Sequence, residues 1–211
     1  MATRHLFLLS PAFCGGKRAG LLMNPASTFD LARRLQAGTL NLGEAFSFLS
    51  GLYFRGKLAY AHRFGADRAF VITPTQGLRA PSSIVDVHQL REFASVDVAV
   101  NDARYRAPLD RDLQRLSNRL DHDARVVLLG SIATSKYVDA LSGVIGPRLL
   151  YPPSFIGRGD MSRGGLLLRA ARAGVELDYA PLDPAARRRG ARPPRLEPLA
   201  PERIARRGAD A

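Results

Sequence analysis

Short, continuous apolar segments separated by helical periods constrain the fold of this 211-residue chain more than any other feature. Four segments have this character: HLFLLS (5–10), AFVIT (69–73), VDVAV (96–100) and RVVLLG (125–130). Such runs are typical of strands that are buried on both faces of a parallel sheet. Their alternation with helical segments predicts an α/β fold with a mostly parallel sheet flanked by helices.

Helical periods occupy the intervals between these strands. The clearest helix follows Pro108, which favours a helix start, and carries four leucines at spacings of four, three and four residues: Leu109, Leu113, Leu116 and Leu120. A less regular helix is predicted over residues 46–61, and a third through Tyr137 and Leu141. The run LLLRAARAG predicts another helix that ends near Gly174.

Length and composition predict one domain followed by a tail. A chain of this size can bury one sizeable core, which we assign to residues 1–182. Residues 183–211 contain eight arginines, four acidic residues and five prolines with almost no apolar periodicity. We therefore expect a disordered Arg/Pro-rich tail, which either attracts phosphate backbones without sequence preference or is simply solvated.

The formal charge of +12 favours a polyanionic partner. Nucleic acid, DNA more than RNA, or a nucleotide is the leading expectation. The alternative is that the charge is solvated arginine, since only three of the 31 basic residues are lysines. The sequence leaves the oligomeric state open.

Cysteine and histidine patterns exclude several classes of site. Cys14 is the single cysteine, so no internal disulfide exists, and no apolar run has the roughly 18 residues of a membrane span. We expect a cytoplasmic protein without a membrane association. The four histidines lack metal-ligand spacing, and neither G-x-S-x-G nor G-x-G-x-x-G follows a strand, so we expect no metal and no cofactor.

Ligands of parallel α/β proteins bind at the carboxyl ends of the strands. This rule selects four loops that follow the predicted strands: SPAFCGGKR (10–18), TPTQGL (73–78), NDARY (101–105) and GSIATSKY (130–137). The glycine-rich segment GRGDMSRGG (157–165) is a fifth candidate.

In the first loop, Ser10 closes a strand and Gly15 and Gly16 permit positive φ angles, so backbone N–H groups and Lys17 could hold an anion. The alternative is an ordinary turn with a solvated basic pair. The loop does not match the Walker A pattern. Cys14 is either a nucleophile or, more commonly for a lone cysteine, a buried apolar residue.

The second and third loops could contact a base. Gln76, beside Thr73 and Gly77, can both donate to and accept from a nucleobase edge. Alternatively, this loop satisfies its own backbone. In the third loop, two polar side chains could orient or deprotonate a water and an aromatic ring could stack on a base, although the polar pair also suits a turn: Asn101, Asp102 and Tyr105.

The last two loops lead into helices and could hold phosphate. Gly130 and Ser131 precede the helix that contains Tyr137, which makes that loop a candidate anion cradle. In GRGDMSRGG, a side chain is expected to cap the following helix while two arginines reach a phosphate. The capping candidates are Asp160 and Ser162, and the arginines are Arg158 and Arg163.

The succession of these segments, over roughly residues 5–182, resembles the YaaA peroxide-stress family and related small α/β domains. The resemblance rests on the Ser-Pro strand end with its following lysine and on LYFRGKLAYA, VITPTQGLRAP and LLGSIATSKYVDAL. Residues 73–76 depart from the pattern, because a serine-alanine-lysine stretch is expected there. The resemblance implies a nucleic-acid-associated domain with a base-sized or nucleotide-sized pocket, distantly similar to uracil-DNA-glycosylase-like folds.

We therefore expect a domain that binds nucleic acid or a nucleotide. As an enzyme it would be a glycosylase-like or nucleoside-hydrolase-like hydrolase, in which Asp160 or Asp102 acts on a water. Two alternatives stay open: a binding or scaffold protein without chemistry, and an enzyme that acts on a small phosphorylated metabolite.

Overall fold

The computed structural model of the chain describes residues 5–98, 102–121, 123–133, 135–182 and 190–196, except for the side chain of Ser135. The strands are β1 His5–Leu9, β2 Leu40–Asn41, β3 Ala69–Ile72, β4 Leu78–Arg79, β5 Ile84–Val85, β6 Arg125–Leu129, β7 Leu149–Tyr151 and β8 Ala180–Pro181. The helices are α1 Lys17–Met23, α2 Asp30–Gln36, α3 Leu42–Ser50, α4 Leu52–Gly65, α5 Val87–Ala94, α6 Ala103–Arg119, α7 Ser135–Ile145 and α8 Asp160–Ala173.

Six strands form one sheet in the order β4-β3-β1-β6-β7-β8. The four central strands are parallel, and β4 and β8 add an antiparallel strand at each edge. β2 and β5 form a separate antiparallel pair. This arrangement confirms the predicted α/β fold with a mostly parallel sheet.

Successive residues of β1 enter two different cores. Phe7 and Leu9 pack on the side that includes α4 and α8, whereas Leu6 and Leu8 pack on the side that includes α6 and α7. Because helices cover both faces, the central strands are apolar at nearly every position. The predicted bounds of β1, β3 and β6 therefore agree with the structure to within one residue.

The predicted strand at 96–100 is wrong for residues 96–98, which belong to the connection between α5 and α6. Val96 is buried and Val98 packs against the same core, so the apolar alternation reflects burial in a connection and not pairing with a strand. Residues 99–101, including Asn101, lie outside the described residues.

The start predicted for the leucine-rich helix is also wrong, because α6 begins at Ala103 and contains Pro108 in its interior. The Asp102 side chain accepts a hydrogen bond from Arg104 N at 2.9 Å and so caps the helix earlier. Pro108 lacks only the N–H that would bond to the Arg104 carbonyl, near the exposed start of the helix, where water can satisfy that carbonyl.

The predicted helix 46–61 consists of two helices, α3 and α4, which meet at Gly51. Gly51 has φ +62°, a conformation that interrupts a helix and that only glycine adopts at little cost. The helices predicted around Tyr137 and before Gly174 correspond to α7 and α8, and Gly174 closes α8 in the left-handed conformation.

Two glycines bring α4 and α8 into backbone contact. A Cβ on Gly56 would lie 2.6 Å from Gly164 O, and a Cβ on Gly164 would lie 2.6 Å from Leu52 O. Neither backbone atom can move aside as a side chain would, so both positions require glycine. The contact fixes the residues of α4 that follow Gly51 against the start of α8.

Residues 190–196 lie against the segment that leads into α8. Arg158 donates a hydrogen bond to Pro194 O at 3.3 Å, and a Cβ on Gly165 would lie 3.5 Å from Leu196 Cδ1. The remainder of the predicted tail, 183–189 and 197–211, is outside the described residues, so its disorder stays a prediction. Within the described ranges, no helix is long and apolar enough to cross a membrane.

Candidate functional site

A cleft of about 750 Å³ lies where β1, β3 and β6 end. Each of the five predicted ligand loops contributes at least one lining residue, although the loop after β3 contributes only Pro74. Further walls come from the end of α3, from Tyr53 of α4 and from residues 93–98. The loops meet because parallel strands present their carboxyl ends at one edge of the sheet.

The cleft divides the predicted site residues into two groups. Seven of them line it: Ser10, Gly16, Lys17, Asp102, Ser131, Tyr137 and Asp160. Nine described residues do not: Gly15, Thr73, Gln76, Gly77, Tyr105, Gly130, Arg158, Ser162 and Arg163.

The loop TPTQGL satisfies its own polar groups. The buried Thr73 hydroxyl donates to Gly77 O at 2.9 Å and accepts from Gln76 N at 3.0 Å. The Gln76 side-chain oxygen accepts from Arg79 Nη1 at 2.5 Å. These hydrogen bonds agree with the alternative prediction for this loop, a turn whose polar groups bond to one another, and not with a contact to a nucleobase.

Tyr105 is oriented away from the cleft. Its side chain is fully buried among the residues of α6 and α7, and its hydroxyl donates to Lys136 O at 3.1 Å. Stacking on a base requires an accessible ring face, which Tyr105 lacks in this structure. Its hydrogen bond instead ties α6 to the first turn of α7.

The arginines of GRGDMSRGG are engaged within the protein. Arg163 is buried, donates to Phe155 O at 3.2 Å and pairs with Asp160 at 3.3 Å. Arg158 donates to Ser154 O at 3.0 Å and to Ser162 Oγ at 3.1 Å. Neither Asp160 nor Ser162 caps α8, because the capping position is held by Gly159, whose backbone turns into the helix without a side-chain bond.

The glycines of the first loop serve a different purpose from the one predicted. Neither Gly15 nor Gly16 has a positive φ. Both lie under the ring of Phe13, which would be 2.9 Å from a Cβ on Gly15. Phe13 lines the cleft and is 75% exposed, so the loop holds an accessible aromatic ring at the cleft.

Ser10 and Lys57 form a hydrogen-bonded pair at the base of the cleft. Lys57 Nζ lies 3.0 Å from Ser10 Oγ and 2.7 Å from Ser10 O. Ser10 lines the cleft, whereas Lys57 lies behind it and is only 1% exposed. Any ligand in the cleft can thus touch Ser10, and Lys57 can act on the ligand only through Ser10.

Gly130 leaves room for the Ser10 side chain. A Cβ on Gly130 would lie 3.0 Å from Ser10 Cβ and 3.2 Å from Ser10 Oγ. The backbone of Ser10 is held by a hydrogen bond from its N–H to Leu129 O at 3.2 Å. Because Gly130 lacks a side chain, the Ser10 hydroxyl can point towards Lys57.

The surroundings of Lys57 weaken its hold on a proton. Burial lowers the pKa of Lys57 from 10.5 to about 7, and the Arg163 guanidinium acts in the same direction. The Asp160 carboxylate partly opposes this shift. Two rings face the amine, since Nζ lies 4.3 Å from the centre of the Tyr53 ring and 4.8 Å from that of Phe54. Because the two rings favour the charged amine, burial is the main effect that lowers its pKa.

The Tyr53 hydroxyl makes no hydrogen bond of good geometry with another described residue, although the Arg163 guanidinium lies beside it. The side chain is 5% exposed and lines the cleft. Burial raises its pKa, an effect that the nearby Arg163 guanidinium reduces, so the hydroxyl keeps its proton. A buried hydroxyl that lacks a partner costs about 1–3 kcal/mol, which makes it a natural contact for a ligand or a water in the cleft.

The two candidate carboxylates differ in their surroundings. Asp102 accepts hydrogen bonds from the side chain and backbone of Arg104, which lower its pKa and make it a weaker base. Asp160 has its one ion pair to Arg163 in the described part of the chain and remains 68% exposed. Burial raises the pKa of Cys14 to about 12, so this residue is a thiol and not a nucleophile at neutral pH.

All three lysines of the chain surround this cleft, although 31 residues are lysine or arginine. Lys17 and Lys136 line it, and Lys57 contacts Ser10 from behind. Lys17 and Lys136 are exposed and form no ion pair with another described residue. Lys57, Phe13 and Tyr53 are not among the residues predicted from the sequence, and the scarcity of lysine is the one signal that points to Lys57.

The described residues contain no group of three or more metal-ligating side chains close enough to hold an ion. The cleft instead offers four cationic side chains, three carboxylates, hydroxyls and aromatic rings. The excess of cationic groups and the rings suit an anionic ligand with a flat apolar part. No protein-family model, curated protein or solved structure matched the chain. The case for a function therefore depends on the chemistry of the cleft itself.

Proposed function

We propose that the protein binds an anionic ligand of nucleotide size in this cleft, either a free nucleotide or a nucleotide within a nucleic acid. The single observation that carries the proposal is the cleft at the carboxyl edge of the sheet, with an exposed aromatic ring and two lysines that form no ion pair with a described residue. Its volume of about 750 Å³ falls in the range of sites for molecules of this size.

Lys17 and Lys136 are the groups that would contact the phosphate. Both are exposed, and neither forms an ion pair with an acidic side chain among the described residues. Arg104, in contrast, pairs with Asp102 at 2.9 Å. Arg18 donates one hydrogen bond to Phe48 O at 3.2 Å and lies in the same wall of the cleft. Charge-assisted hydrogen bonds from such groups are the usual means of binding phosphate.

Phe13 is the ring on which a base would stack. It has the exposed face that Tyr105 lacks, and Tyr137 supplies a second, partly buried ring in the cleft. Stacking of a base on an aromatic side chain contributes about 1–3 kcal/mol and tolerates any base. The proposal therefore predicts broad base preference and requires a phosphate.

Hydrolysis of the base linkage remains the proposed reaction for Asp160. Asp160 keeps an accessible carboxylate in the cleft and lies close enough to Tyr53 and Tyr137 to affect their pKa values. A carboxylate in this position can orient or deprotonate a water. Asp102, held by Arg104, is the weaker candidate.

The test is fluorescence anisotropy of labelled single-stranded and double-stranded oligonucleotides, with competition by mononucleotides, orthophosphate and ribose 5-phosphate. The full chain is compared with Lys17→Gln/Lys136→Gln and with a charge-matched control, Arg33→Gln/Arg172→Gln, whose two residues are exposed and outside the cleft. Each lysine contact is worth about tenfold in affinity, so the cleft variant should bind far more weakly than the control. Equal binding by the two variants would contradict the proposal, and competition by ribose 5-phosphate as strong as by nucleotides would favour a small phosphorylated metabolite.

A further inference from the structure

The Ser10–Lys57 pair has the geometry of a nucleophile and its base. Ser10 Oγ is at the wall of the cleft, 3.0 Å from Lys57 Nζ, and Lys57 has no access to the cleft of its own. A nucleophilic hydroxyl needs a group within hydrogen-bond distance that accepts its proton. Lys57 Nζ is in contact with this hydroxyl and is fully buried.

An uncharged Lys57 amine can form hydrogen bonds with both oxygens of Ser10. In the structure Lys57 Nζ donates to Ser10 O at 2.7 Å and to Ser10 Oγ at 3.0 Å. Once the amine is uncharged, its lone pair can accept from the Ser10 hydroxyl at the second contact. The groups that face Nζ are Ser10 from the end of β1, Tyr53 and Phe54 from α4, and Asp160 and Arg163 from α8. Of the two charged groups, Asp160 favours the ammonium form and Arg163 opposes it, while the two rings and the Ser10 carbonyl also favour the ammonium form.

The rarity of lysine strengthens this assignment. Arginine cannot release its proton in a protein, whereas a buried lysine can, so the two are not interchangeable at a position that must act as a base. This chain uses arginine almost throughout and has lysine at three positions, all of them at this cleft. The backbone contact between Gly56 and Gly164 holds Lys57 in place between α4 and α8.

We propose that Ser10 is a nucleophile activated by Lys57 and that it attacks the phosphorus of a phosphate ester bound in the cleft. As Ser10 Oγ bonds to phosphorus, its proton passes to Lys57 Nζ and the bond from phosphorus to the leaving oxygen breaks. The leaving oxygen takes its proton from solvent, since Lys57 does not reach the cleft. Water then attacks the phosphoserine and gives a proton to solvent, and the bond from phosphorus to Oγ breaks as Lys57 returns its proton to Oγ.

The choice of phosphorus as the electrophile rests on the proposed function, because Lys17 and Lys136 line the cleft and favour a phosphate beside Ser10. Their charges would offset the charge that develops on the phosphate oxygens. The Tyr53 hydroxyl, which makes no hydrogen bond of good geometry with another described residue, is a further donor at the same wall.

The test uses the full chain and two probes. A biotinylated alkyl fluorophosphonate reports an activated serine as a covalent adduct that peptide mapping by mass spectrometry locates. Thymidine 5′-(p-nitrophenyl phosphate) reports turnover of a nucleotide ester by release of p-nitrophenolate. The variants are Ser10→Ala and Lys57→Met, with Ser82→Ala as a control at an exposed serine outside the cleft. Circular dichroism and thermal melts establish that each variant is folded.

The expected result is an adduct on Ser10 that is absent in Ser10→Ala, at least a hundredfold slower in Lys57→Met and unchanged in Ser82→Ala. The rate of labelling should rise with pH with a midpoint near 7, where Lys57 becomes neutral. An unlabelled Ser10 in the folded protein, or labelling that does not depend on Lys57, overturns the pair. Labelling without ester hydrolysis overturns the phosphate-ester assignment.

The proposed function can fail separately, because its test measures binding and not labelling. If Ser10 is labelled in a protein that binds no nucleotide, Ser10 is still a nucleophile but the proposed nucleotide ligand is wrong. Ser10→Ala also separates the two reactions, since it should abolish p-nitrophenolate release and leave any release of base by Asp160.

Discussion

Replacing Lys57 with methionine should change how the stability of the protein depends on pH. The folded protein lowers the pKa of Lys57 from 10.5 to about 7, so between these values the unfolded chain binds one more proton than the native state. The free energy of unfolding then rises with pH by about 1.4 kcal/mol per pH unit. It is flat below about pH 7, where Lys57 is charged in both states, and flat again above 10.5, where it is neutral in both.

The accessible part of this window is pH 7 to 9, over which Lys57 should add about 2 kcal/mol to the free energy of unfolding. Methionine has a similar length and no titratable group, so Lys57→Met should lack this gain. The assay is urea denaturation of both proteins at several pH values, followed by circular dichroism, with the difference between them taken at each pH. Taking the difference cancels the contributions of groups that both proteins share. One of these is Cys14, whose raised pKa lowers the free energy of unfolding above pH 9, the ordinary pKa of a thiol.

Parallel stability curves for the two proteins would contradict a lowered pKa of Lys57, because they would mean that Lys57 stays charged in the folded state over this pH range. Lys57 could then not serve as the base for Ser10. A gain of about 2 kcal/mol by the wild-type protein relative to Lys57→Met between pH 7 and 9 would support a neutral amine in the native state.

The other predictions concern neighbouring groups. Gly130→Ala should lower Ser10 labelling by about tenfold or more with the fold retained, because the new Cβ would approach Ser10 Oγ to 3.2 Å, and an unchanged labelling rate would be contrary to this role. Gly164→Ala should destabilise the protein by about 1–3 kcal/mol in urea denaturation, since the Cβ would lie 2.7 Å from Tyr53 Cα, and wild-type stability would show that α4 and α8 can separate freely. Asp160→Asn should abolish any base release while sparing the fold, and retained release would remove Asp160 from that reaction. Replacing the three arginines 187–189 with glutamine should reduce the salt dependence of oligonucleotide binding but spare binding of mononucleotides, and an unaltered salt slope would mean that these arginines are merely solvated.

The parts of the fold that were predictable are those set by local burial. β1, β3 and β6 are buried on both faces, so each is an unbroken apolar run, and α6 has one buried face with leucines at helical spacing. β7 is only three residues long and follows Pro147 closely, so its sequence carries no comparable signal. The same local pattern failed at 96–98, where burial occurs without pairing to a strand.

The candidate site was predictable only as far as the topology decides it. The carboxyl ends of parallel strands meet at one edge, which brought five loops to the cleft without any motif. The direction of a side chain within a loop depends on contacts with distant segments, which is why Tyr105 and Gln76 turned out to be engaged elsewhere. Lys57 is 47 residues from Ser10 in the sequence, and no local sequence pattern predicts a contact over that separation.

Selective labelling of the lysine ¹³Cε positions shows whether the three lysines surround one ligand site. The chain has three lysines, so the NMR spectrum should contain three signals, which single substitutions assign. Thymidine 5′-monophosphate should shift the signals of Lys17 and Lys136, and the signal of Lys57 should titrate near pH 7. If none of the three signals moves at nucleotide concentrations that saturate binding, the ligand binds elsewhere and this cleft is not its site.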